Sequence, residues 1–382
     1  MRIEFDDGTL LLRDAPENVP HAEWDDRVDE HRTQAYRYRA LLEWAGTWTG
    51  SDDQATLRDG FGAACEDAAR AYPDLELTPA LHIEPRDYQQ AALDAWIDHG
   101  RRGSVVLPTG SGKTFLGLQA IADAGVSALV VTPTIDLMNQ WHATLTNAFG
   151  DQLTEPVGVL GGGSHDVTAI TVTTYDSAYR YVNEYGDRFG LLVVDEEHHL
   201  PAPTYRQIPE MMIAPYRLGL TATYERPDGK HELLEDLLGP VVYREDVDEL
   251  AGEYLSEYET IHMSVELTVD ERQQYDEEYQ IYRDYVDSHE FDLWKEEGYA
   301  EFLKRTSYDP QGRRALIAKQ RAERIARTAE KKLDTLDNLI KRHHDDRAII
   351  FTANNDFAYD ISQEFIVPCI THQTKTDERT EI

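Results

Sequence analysis

Residues 107–114 read Leu107-Pro108-Thr109-Gly110-Ser111-Gly112-Lys113-Thr114, between an apolar run and a helical pattern over 115–124. The two glycines therefore fall where a strand turns into a helix. Gly110 and Gly112 carry no side chains that would keep backbone N–H groups from phosphate oxygens, and a helix N-terminus adds partial positive charge. The pattern predicts a phosphate-binding loop made by Gly110, Ser111, Gly112, Lys113 and Thr114.

The side chains that end this loop have the chemistry of a nucleoside triphosphate site. Lys113 is predicted to reach the β and γ phosphates of ATP, and Thr114 to hold Mg²⁺. Leu107 stands where the strict pattern has glycine, so only the shorter Gly-x-Gly-Lys-Thr form is present. A glycine-rich turn without a ligand is the alternative.

An acidic box, Asp195-Glu196-Glu197-His198, follows the apolar run 191–194. Parallel strands of open α/β sheets place ligands at their carboxyl ends, so the box and the loop are expected to meet. Asp195 is predicted to bind Mg²⁺ and Glu196 to polarise the attacking water. A solvated acidic cap on a strand is the alternative, and the loop upstream argues against it.

Further polar residues follow the next predicted strand, in the run Thr221-Ala222-Thr223. His198 is predicted to be a polar coupler between the nucleotide and these two threonines. Metal binding by His198 and His199 is disfavoured, because adjacent side chains on a strand point apart and no third histidine or cysteine is near.

The composition limits the class of protein. Acidic residues number 72 against 37 basic ones, which gives a net charge of −35, while 41% of the residues are hydrophobic. That hydrophobic content argues against intrinsic disorder. Repulsion within such a surface is largely screened at about 1 M salt, where the Debye length is about 3 Å. The composition resembles that of proteins from salt-accumulating haloarchaea.

Two cysteines are too few for a disulfide framework, and no apolar run reaches membrane-spanning length. The start of the chain has no basic segment before an apolar core, so no secretion signal is evident. We expect a soluble cytoplasmic protein without a membrane partner. The acidity argues against a nucleic-acid partner, but residues 313–342 carry ten basic and four acidic side chains. A solvated helix face is the alternative for that segment.

The pattern of apolar runs predicts an α/β protein built from several parts. A small α+β unit is expected over 1–78, with a hairpin at Asp7-Gly8 and a helix over 36–48. Strands over 104–107, 128–132, 169–173, 191–195 and 217–221 alternate with helices or loops, which predicts a doubly wound parallel sheet over 79–245.

An acidic linker, 246–258, follows the predicted sheet. A partial second α/β unit is then expected over 259–382, with strands at 260–267, 348–352 and 367–370. Helices interrupt it at 268–308, where Thr268 and Glu271 form a capping box. One long basic helix is expected to follow, and a shorter helix over 355–365.

Together these patterns resemble the superfamily 2 helicases, and specifically the archaeal XPB-type DNA repair helicases. Residues 86–89 resemble the adenine-reading element, which the resemblance assigns to Arg86 and Gln89. The resemblance implies DNA backbone contacts by two further motifs, at Thr132, Pro133, Thr134 and Gln140, and at Thr173, Thr174 and Tyr175. It also implies coupling of ATP hydrolysis to movement through Thr221, Thr223, Arg226 and Asp228.

The family resemblance implies an N-terminal damage-recognition-like domain, two RecA-like lobes that use ATP and Mg²⁺, and a thumb-like helical insertion over 268–308. The implied activity is 3′–5′ unwinding of single-stranded or forked duplex DNA. Movement would follow from closing and opening of the lobes around ATP. A nuclease subunit is an implied partner.

Three departures from the family pattern matter. The Arg-Glu-Asp loop of the family falls at 226–228, where Pro227 replaces Glu, and the thumb-like segment carries twelve acidic and five basic residues. The final motifs, including an arginine finger, are not seen. Because such a finger contributes roughly 10³ to 10⁵ in rate, we expect this polypeptide to bind ATP·Mg²⁺ weakly and to hydrolyse it negligibly.

Two other functions remain open on the sequence. A duplex translocase that does not separate strands would use the same ATP residues. A non-catalytic ATP-binding module that docks a nuclease partner would need only the first lobe.

Overall fold

The computed structural model describes residues 1–46, 65–80, 84–226, 228–246, 250, 259–289, 291, 296–374 and 378–379. It divides into two compact units, Met1–Tyr258 and Glu259–Ile382, which are described separately below. None of the helices in the described ranges is long and apolar enough to span a membrane.

The first unit begins with a five-stranded sheet in the order β3-β4-β2-β1-β5. Its strands are β1 (Arg2–Asp6), β2 (Thr9–Arg13), β3 (Glu23–Asp25), β4 (Glu30–Gln34) and β5 (Glu66–Asp67). The predicted hairpin is present: β1 and β2 pair antiparallel, and Asp7 and Gly8 both have positive φ, 48° and 80°. A two-residue turn of this kind matches the twist of its strands.

The small sheet is followed by α1 (Tyr38–Trp44), which lies within the predicted helical stretch 36–48. Trp48, at the end of that stretch, lies outside the described residues. Ile3 and Leu10 belong to the same buried cluster as the large sheet that follows. Asn183 donates a hydrogen bond to Asp7 at 2.7 Å. Residues 1–46 are therefore continuous with the large sheet through one hydrophobic core.

The large sheet has eight strands in the order β13-β6-β12-β11-β7-β10-β8-β9. Its bounds are β6 (Arg102–Val106), β7 (Ala128–Thr132), β8 (Gly158–Gly161), β9 (Ser164–His165), β10 (Ile170–Thr174), β11 (Leu191–Asp195), β12 (Tyr216–Thr221) and β13 (Val241–Arg244). All neighbours are parallel except β8 and β9. The five predicted strands are confirmed, and β8 and β9 were not expected.

Helices cover the large sheet: α2 (Asp87–Asp98), α3 (Lys113–Ala124), α4 (Ile135–Phe149), α5 (Tyr175–Tyr185), α6 (Gln207–Glu210) and α7 (Glu232–Leu237). Every residue of β7 and β11 is buried, as expected for central parallel strands with both faces covered. The α/β class and the predicted parallel sheet are therefore confirmed.

The second unit is helical in its described residues. Its helices are α8 (Val269–Ser288), α9 (Glu296–Thr306), α10 (Pro310–Arg327), α11 (Glu330–Arg342) and α12 (Asn355–Phe365). Thr268 and Glu271 form the predicted capping box of α8, and α12 has the predicted bounds. The single long basic helix was wrong: it breaks between α10 and α11, where Ala329 has ψ 133° and leaves the helical region.

The three strands predicted for this unit are also absent from its described residues. Residues 259–268, 347–353 and 366–370 have no strand pairing, and Ile349 and Phe351 are 81% and 91% exposed. A strand is stable only when a neighbour satisfies its backbone groups. The alternation of apolar residues identified these segments, but it carries no information about a partner. A second RecA-like lobe here rests on the resemblance alone.

Candidate active site

Three neighbouring strands bring the predicted site together at one edge of the large sheet. β12 lies between β6 and β11, and their carboxyl ends are in register, with Val106 opposite Thr221 and Leu220 opposite Asp195. The N–H of Leu107 donates to the carbonyl of Thr221 at 2.9 Å. The glycine-rich loop, the acidic box and the threonine run therefore emerge side by side, where open α/β sheets bind ligands.

The glycine-rich loop has the backbone shape of a phosphate cradle. Gly110 and Gly112 have φ of +83° and +86°, and a Cβ at Gly112 would lie 2.5 Å from Nε2 of Gln89. The helix α3 begins at Lys113, so its first N–H groups face the loop. The Ser111 hydroxyl is buried and has no hydrogen-bond partner among the described residues. These features fit a triphosphate.

Lys113 lies across the mouth of the loop. Its amine donates to the carbonyls of Leu107 and Pro108 at 3.2 and 3.4 Å. Burial lowers the pKa of Lys113, and the nearby carboxylates of Glu196 and Asp195 oppose that shift. The amine thus donates hydrogen bonds to two neutral carbonyls. The carboxylates of the acidic box favour its charged form. A phosphate oxygen is a stronger, charge-assisted acceptor than either carbonyl.

The predicted adenine-reading residues contact the loop from α2. The side-chain oxygen of Gln89 accepts the N–H of Arg86 at 3.0 Å, and its amide donates to the carbonyl of Ser111 at 2.8 Å. The hydroxyl of Tyr88 donates to the same carbonyl at 2.5 Å. Gln89 is therefore placed beside the phosphate loop, and base recognition by Arg86 and Gln89 stays a prediction.

Asp195 is the buried member of the acidic box, with 7% of its surface exposed. One carboxylate oxygen accepts the indole N–H of Trp141 at 2.8 Å, and the other accepts the N–H of Glu196 at 3.1 Å. Burial raises the pKa of Asp195, while Trp141 and Lys113 lower it. These contacts fix the orientation of the carboxylate. Thr114, the second predicted Mg²⁺ ligand, is half-buried at the start of α3.

Glu196 adopts a left-handed backbone conformation, with φ 52° and ψ 55°. This conformation is uncommon for a residue with a side chain and is concentrated at functional sites. One of its carboxylate oxygens lies 3.4 Å from both the Thr221 hydroxyl and Nδ1 of His198. The turn thus aims the carboxylate that is predicted to polarise the attacking water toward the end of β12.

His198 and the threonine run form the predicted contact. Nδ1 of His198 lies 3.2 Å from the hydroxyl of Thr221. That hydroxyl also donates to the carbonyl of Thr223 at 2.9 Å and accepts its N–H at 3.1 Å. The structure therefore joins His198 directly to Thr221 and, through it, to Thr223.

Arg226 extends this network. It makes two parallel hydrogen bonds of 2.9 Å to Asp228 and a third to the carbonyl of His198. The hydrogen bonds from Arg226 hold the pKa of Asp228 well below its usual range. Pro227, which replaces the family's Glu, lies outside the described residues. The loop after the threonine run is thus attached to the acidic box.

The predicted DNA contacts separate into two groups. Thr134 and Gln140 are exposed, and Pro133 and Thr174 are half-buried. Thr132 and Thr173 are fully buried, and Thr173 donates to the carbonyl of Leu160 at 2.7 Å. Tyr175 is 3% exposed.

DNA contact by Thr132, Thr173 and Tyr175 stays a prediction. Thr132 and Thr173 lie in strands that are buried on both faces, and Tyr175 begins α5 with its side chain buried.

Three contributors to the site were missed. Trp141 and Tyr175 belong to segments identified as DNA motifs, yet both contact the acidic box. Glu197, the third residue of the box, is fully buried against Ser104. Glu197 is flanked by Glu196 and His198, so the local sequence carries no signal for its burial. No sequence signal connects Trp141 with Asp195, because 54 residues separate them.

A parallel α/β sheet with a Gly-x-Gly-Lys-Thr loop and an acidic box at adjoining strand ends is the architecture of P-loop nucleotide-binding proteins. Residues 82–226 match the family "Type III restriction enzyme, res subunit". Residues 3–47 match the "Xeroderma pigmentosum group B helicase damage recognition domain".

Curated relatives agree. The chain is 40% identical over 300 residues to "DNA 3'-5' translocase XPB2" of Sulfurisphaera tokodaii, covering 78% of this chain and 67% of that one. It is 29% identical to "DNA 3'-5' helicase XPB" of Mycobacterium tuberculosis, covering 93% and 56%. It is 33% identical to "Putative DNA 3'-5' helicase Rad25" of Halobacterium salinarum, covering 61% and 39%. The chain belongs to the XPB-type DNA 3′–5′ helicase family.

The chain spans about two thirds of the length of the first of these relatives and about half or less of the other two.

Proposed function

We propose that this protein is an ATP-dependent DNA helicase that unwinds DNA in the 3′–5′ direction for repair or transcription. The observation that carries the proposal is the strand register that brings the phosphate loop with Lys113 and the acidic box to one edge of the sheet, with Val106 opposite Thr221 and Leu220 opposite Asp195. An amine on the loop and a carboxylate at a nearby strand end suit a metal-bound triphosphate. Family membership supports DNA as the substrate.

The residues of the chain have separate roles in this proposal. Lys113 binds the phosphates, Asp195 and Thr114 hold Mg²⁺, and Glu196 orients the attacking water. ATP supplies the free energy, through cleavage of its terminal phosphoanhydride bond. A change at His198 and Thr221 on ATP binding or hydrolysis is transmitted to Arg226 and Asp228, because the hydrogen bonds described above connect all four residues. Thr134, Gln140, Pro133 and Thr174 remain the proposed DNA contacts.

The first test is nucleotide binding by the 382-residue chain with Mg²⁺. Lys113→Ala is expected to weaken binding of a fluorescent ATP analogue at least about tenfold, because a charge-assisted contact is lost. Lys341→Ala is the matched control, since it removes an exposed amine that pairs with Asp337 on α11. Equal binding by wild type and Lys113→Ala would refute the site.

A duplex translocase is the second candidate, and it is favoured by the similarity to the Sulfurisphaera protein, which is named a translocase. Displacement of a strand from a forked duplex supports the helicase. Displacement of a third strand from a triplex, without duplex opening, supports the translocase.

Three finer proposals accompany the function. A nuclease partner would be detected by its co-purification with the tagged protein from the source cells. We also propose a cytoplasmic location and a salt-rich cell, since a net charge of −35 is tolerated best where salt screens it.

A non-catalytic module would bind ATP without DNA-stimulated hydrolysis.

A further inference from the structure

Two aromatic side chains, from helices on opposite faces of the large sheet, end on the acidic box. Trp141, on α4, donates its indole N–H to a carboxylate oxygen of Asp195 at 2.8 Å. Tyr175, at the start of α5, donates its hydroxyl to the carbonyls of Asp195 and Glu196, both at 3.1 Å. One aromatic residue thus holds the carboxylate, and the other holds the backbone that carries it.

The same two helices present polar groups to solvent at their N-terminal ends. Thr134 caps α4 and is exposed, and Gln140 is exposed within its second turn. Thr174 caps α5. Each helix therefore has proposed DNA contacts near its N-terminus and one aromatic contact to the nucleotide site.

Both aromatic side chains are closely packed, so neither can change its position independently of its helix. Trp141 is 1% exposed, and a Cβ at Gly117 of α3 would lie 2.5 Å from its ring. The ring of Tyr175 lies between those of Tyr205 and His199, with centroids 5.1 and 6.0 Å away. Close-packed groups transmit displacement because they cannot be compressed.

We propose that Trp141 and Tyr175 are positioning residues that couple DNA binding to the binding of Mg²⁺-nucleotide. A shift of α4 or α5 on contact with a DNA backbone moves an indole N–H or a hydroxyl, and the Asp195 carboxylate follows. This inference rests on the proposed function, since it needs both ligands to bind.

Binding of one ligand must then change the affinity for the other by the same factor in both directions. The experiment measures that factor in the 382-residue chain. A non-hydrolysable ATP analogue with Mg²⁺ is titrated with and without a single-stranded oligonucleotide, and the oligonucleotide with and without the analogue. For wild type we expect DNA to tighten nucleotide binding about fivefold or more, within the usual range of such couplings.

The variants are Trp141→Phe and Tyr175→Phe, which keep the rings and remove the hydrogen bonds. Each is expected to reduce the coupling factor at least about threefold. The matched controls are Trp96→Phe and Tyr38→Phe. Trp96 is equally buried and donates to the carbonyl of Arg217 at 2.9 Å, and Tyr38 is buried and donates to Asp67. The controls are expected to keep the wild-type factor.

The outcomes separate the two proposals. If wild type binds both ligands with a coupling factor of one, or if both variants keep its factor, the coupling role is refuted and the proposed function stands. If wild type binds no nucleotide, the proposed function fails first. Should Trp141→Phe not fold, Tyr175→Phe decides alone. Equal losses in the controls would mean that general destabilisation lowers the factor, which also refutes the specific role.

Discussion

The Ser104 hydroxyl donates a hydrogen bond of 2.7 Å to a carboxylate oxygen of Glu197, across the strand that carries Gly219. Gly219 is the register partner of Ser104, and a Cβ at position 219 would lie 1.7 Å from the same oxygen. The carboxyl group therefore fills the space that a side chain on β12 would need. It ties the turn of the acidic box to β6, the strand that leads into the phosphate loop.

Gly219→Ala is expected to destabilise the first unit by about 1–3 kcal/mol or more, because the added methyl overlaps a buried carboxyl. Urea unfolding followed by far-UV circular dichroism measures the loss. Gly150→Ala is the matched control, since its Cβ would make an ordinary contact of 3.5 Å with Thr146. The double variant Gly219→Ala with Glu197→Ala should recover part of the loss. No recovery in the double variant would contradict the overlap.

Glu197 makes the stability depend on pH. Burial raises its pKa to about 8, well above the ordinary value of 4.5. The native state then holds a proton that the unfolded state releases, so stability is full below about pH 4.5 and falls as pH rises toward 8. The decline approaches about 1.4 kcal/mol per pH unit. Glu197→Gln, compared with wild type by unfolding at pH 5.5 and 8, should lose this part of the slope. Identical slopes would contradict it.

The hydrogen bonds of Arg217 are expected to contribute strongly to the stability of the first unit. It is fully buried and donates hydrogen bonds of 2.5–3.0 Å to four carbonyls, those of Pro209, Met212, Ala214 and Leu237. Lysine cannot reproduce the planar fork of donors. Arg217→Lys should cost about 3 kcal/mol or more through unsatisfied carbonyls. Thermal unfolding measures it, and Arg314→Lys on exposed α10 should change little. A loss below about 1 kcal/mol would show that the carbonyls find other partners.

The affinity for DNA is expected to fall with salt less steeply than binding through many phosphate ion pairs would require. Ion pairs with phosphate weaken steeply as salt rises, and the chain is strongly acidic. We expect backbone N–H groups, the hydroxyls of Thr134 and Thr174, and stacking to dominate binding. Fluorescence anisotropy with a labelled oligonucleotide should give a slope of log affinity against log salt no steeper than about −6. A steeper slope would implicate the basic helices α10 and α11. Arg313→Ala would then flatten it.

Local sequence signals predicted most of the first unit. The fully apolar runs at β7 and β11 and the two-residue turn at Asp7 and Gly8 have short-range causes, namely burial on both faces and positive φ. The short strands β8 and β9 were missed because glycines end one and the other has only the two polar residues Ser164 and His165. In the second unit the same apolar signal led to wrong strands, because pairing requires a partner that the pattern does not contain.

The residue types along the chain were sufficient for the phosphate loop, the acidic box and the threonine run, since each needs a fixed chemistry at a fixed local spacing. Only the folded chain decided which side chains surround them. Trp141 reaches Asp195, Tyr175 turns inward and Glu197 reaches Ser104 because β6, β12, β11 and β7 lie side by side in an order different from the order of the chain. Contacts between distant residues follow from strand order and packing, which no local pattern encodes.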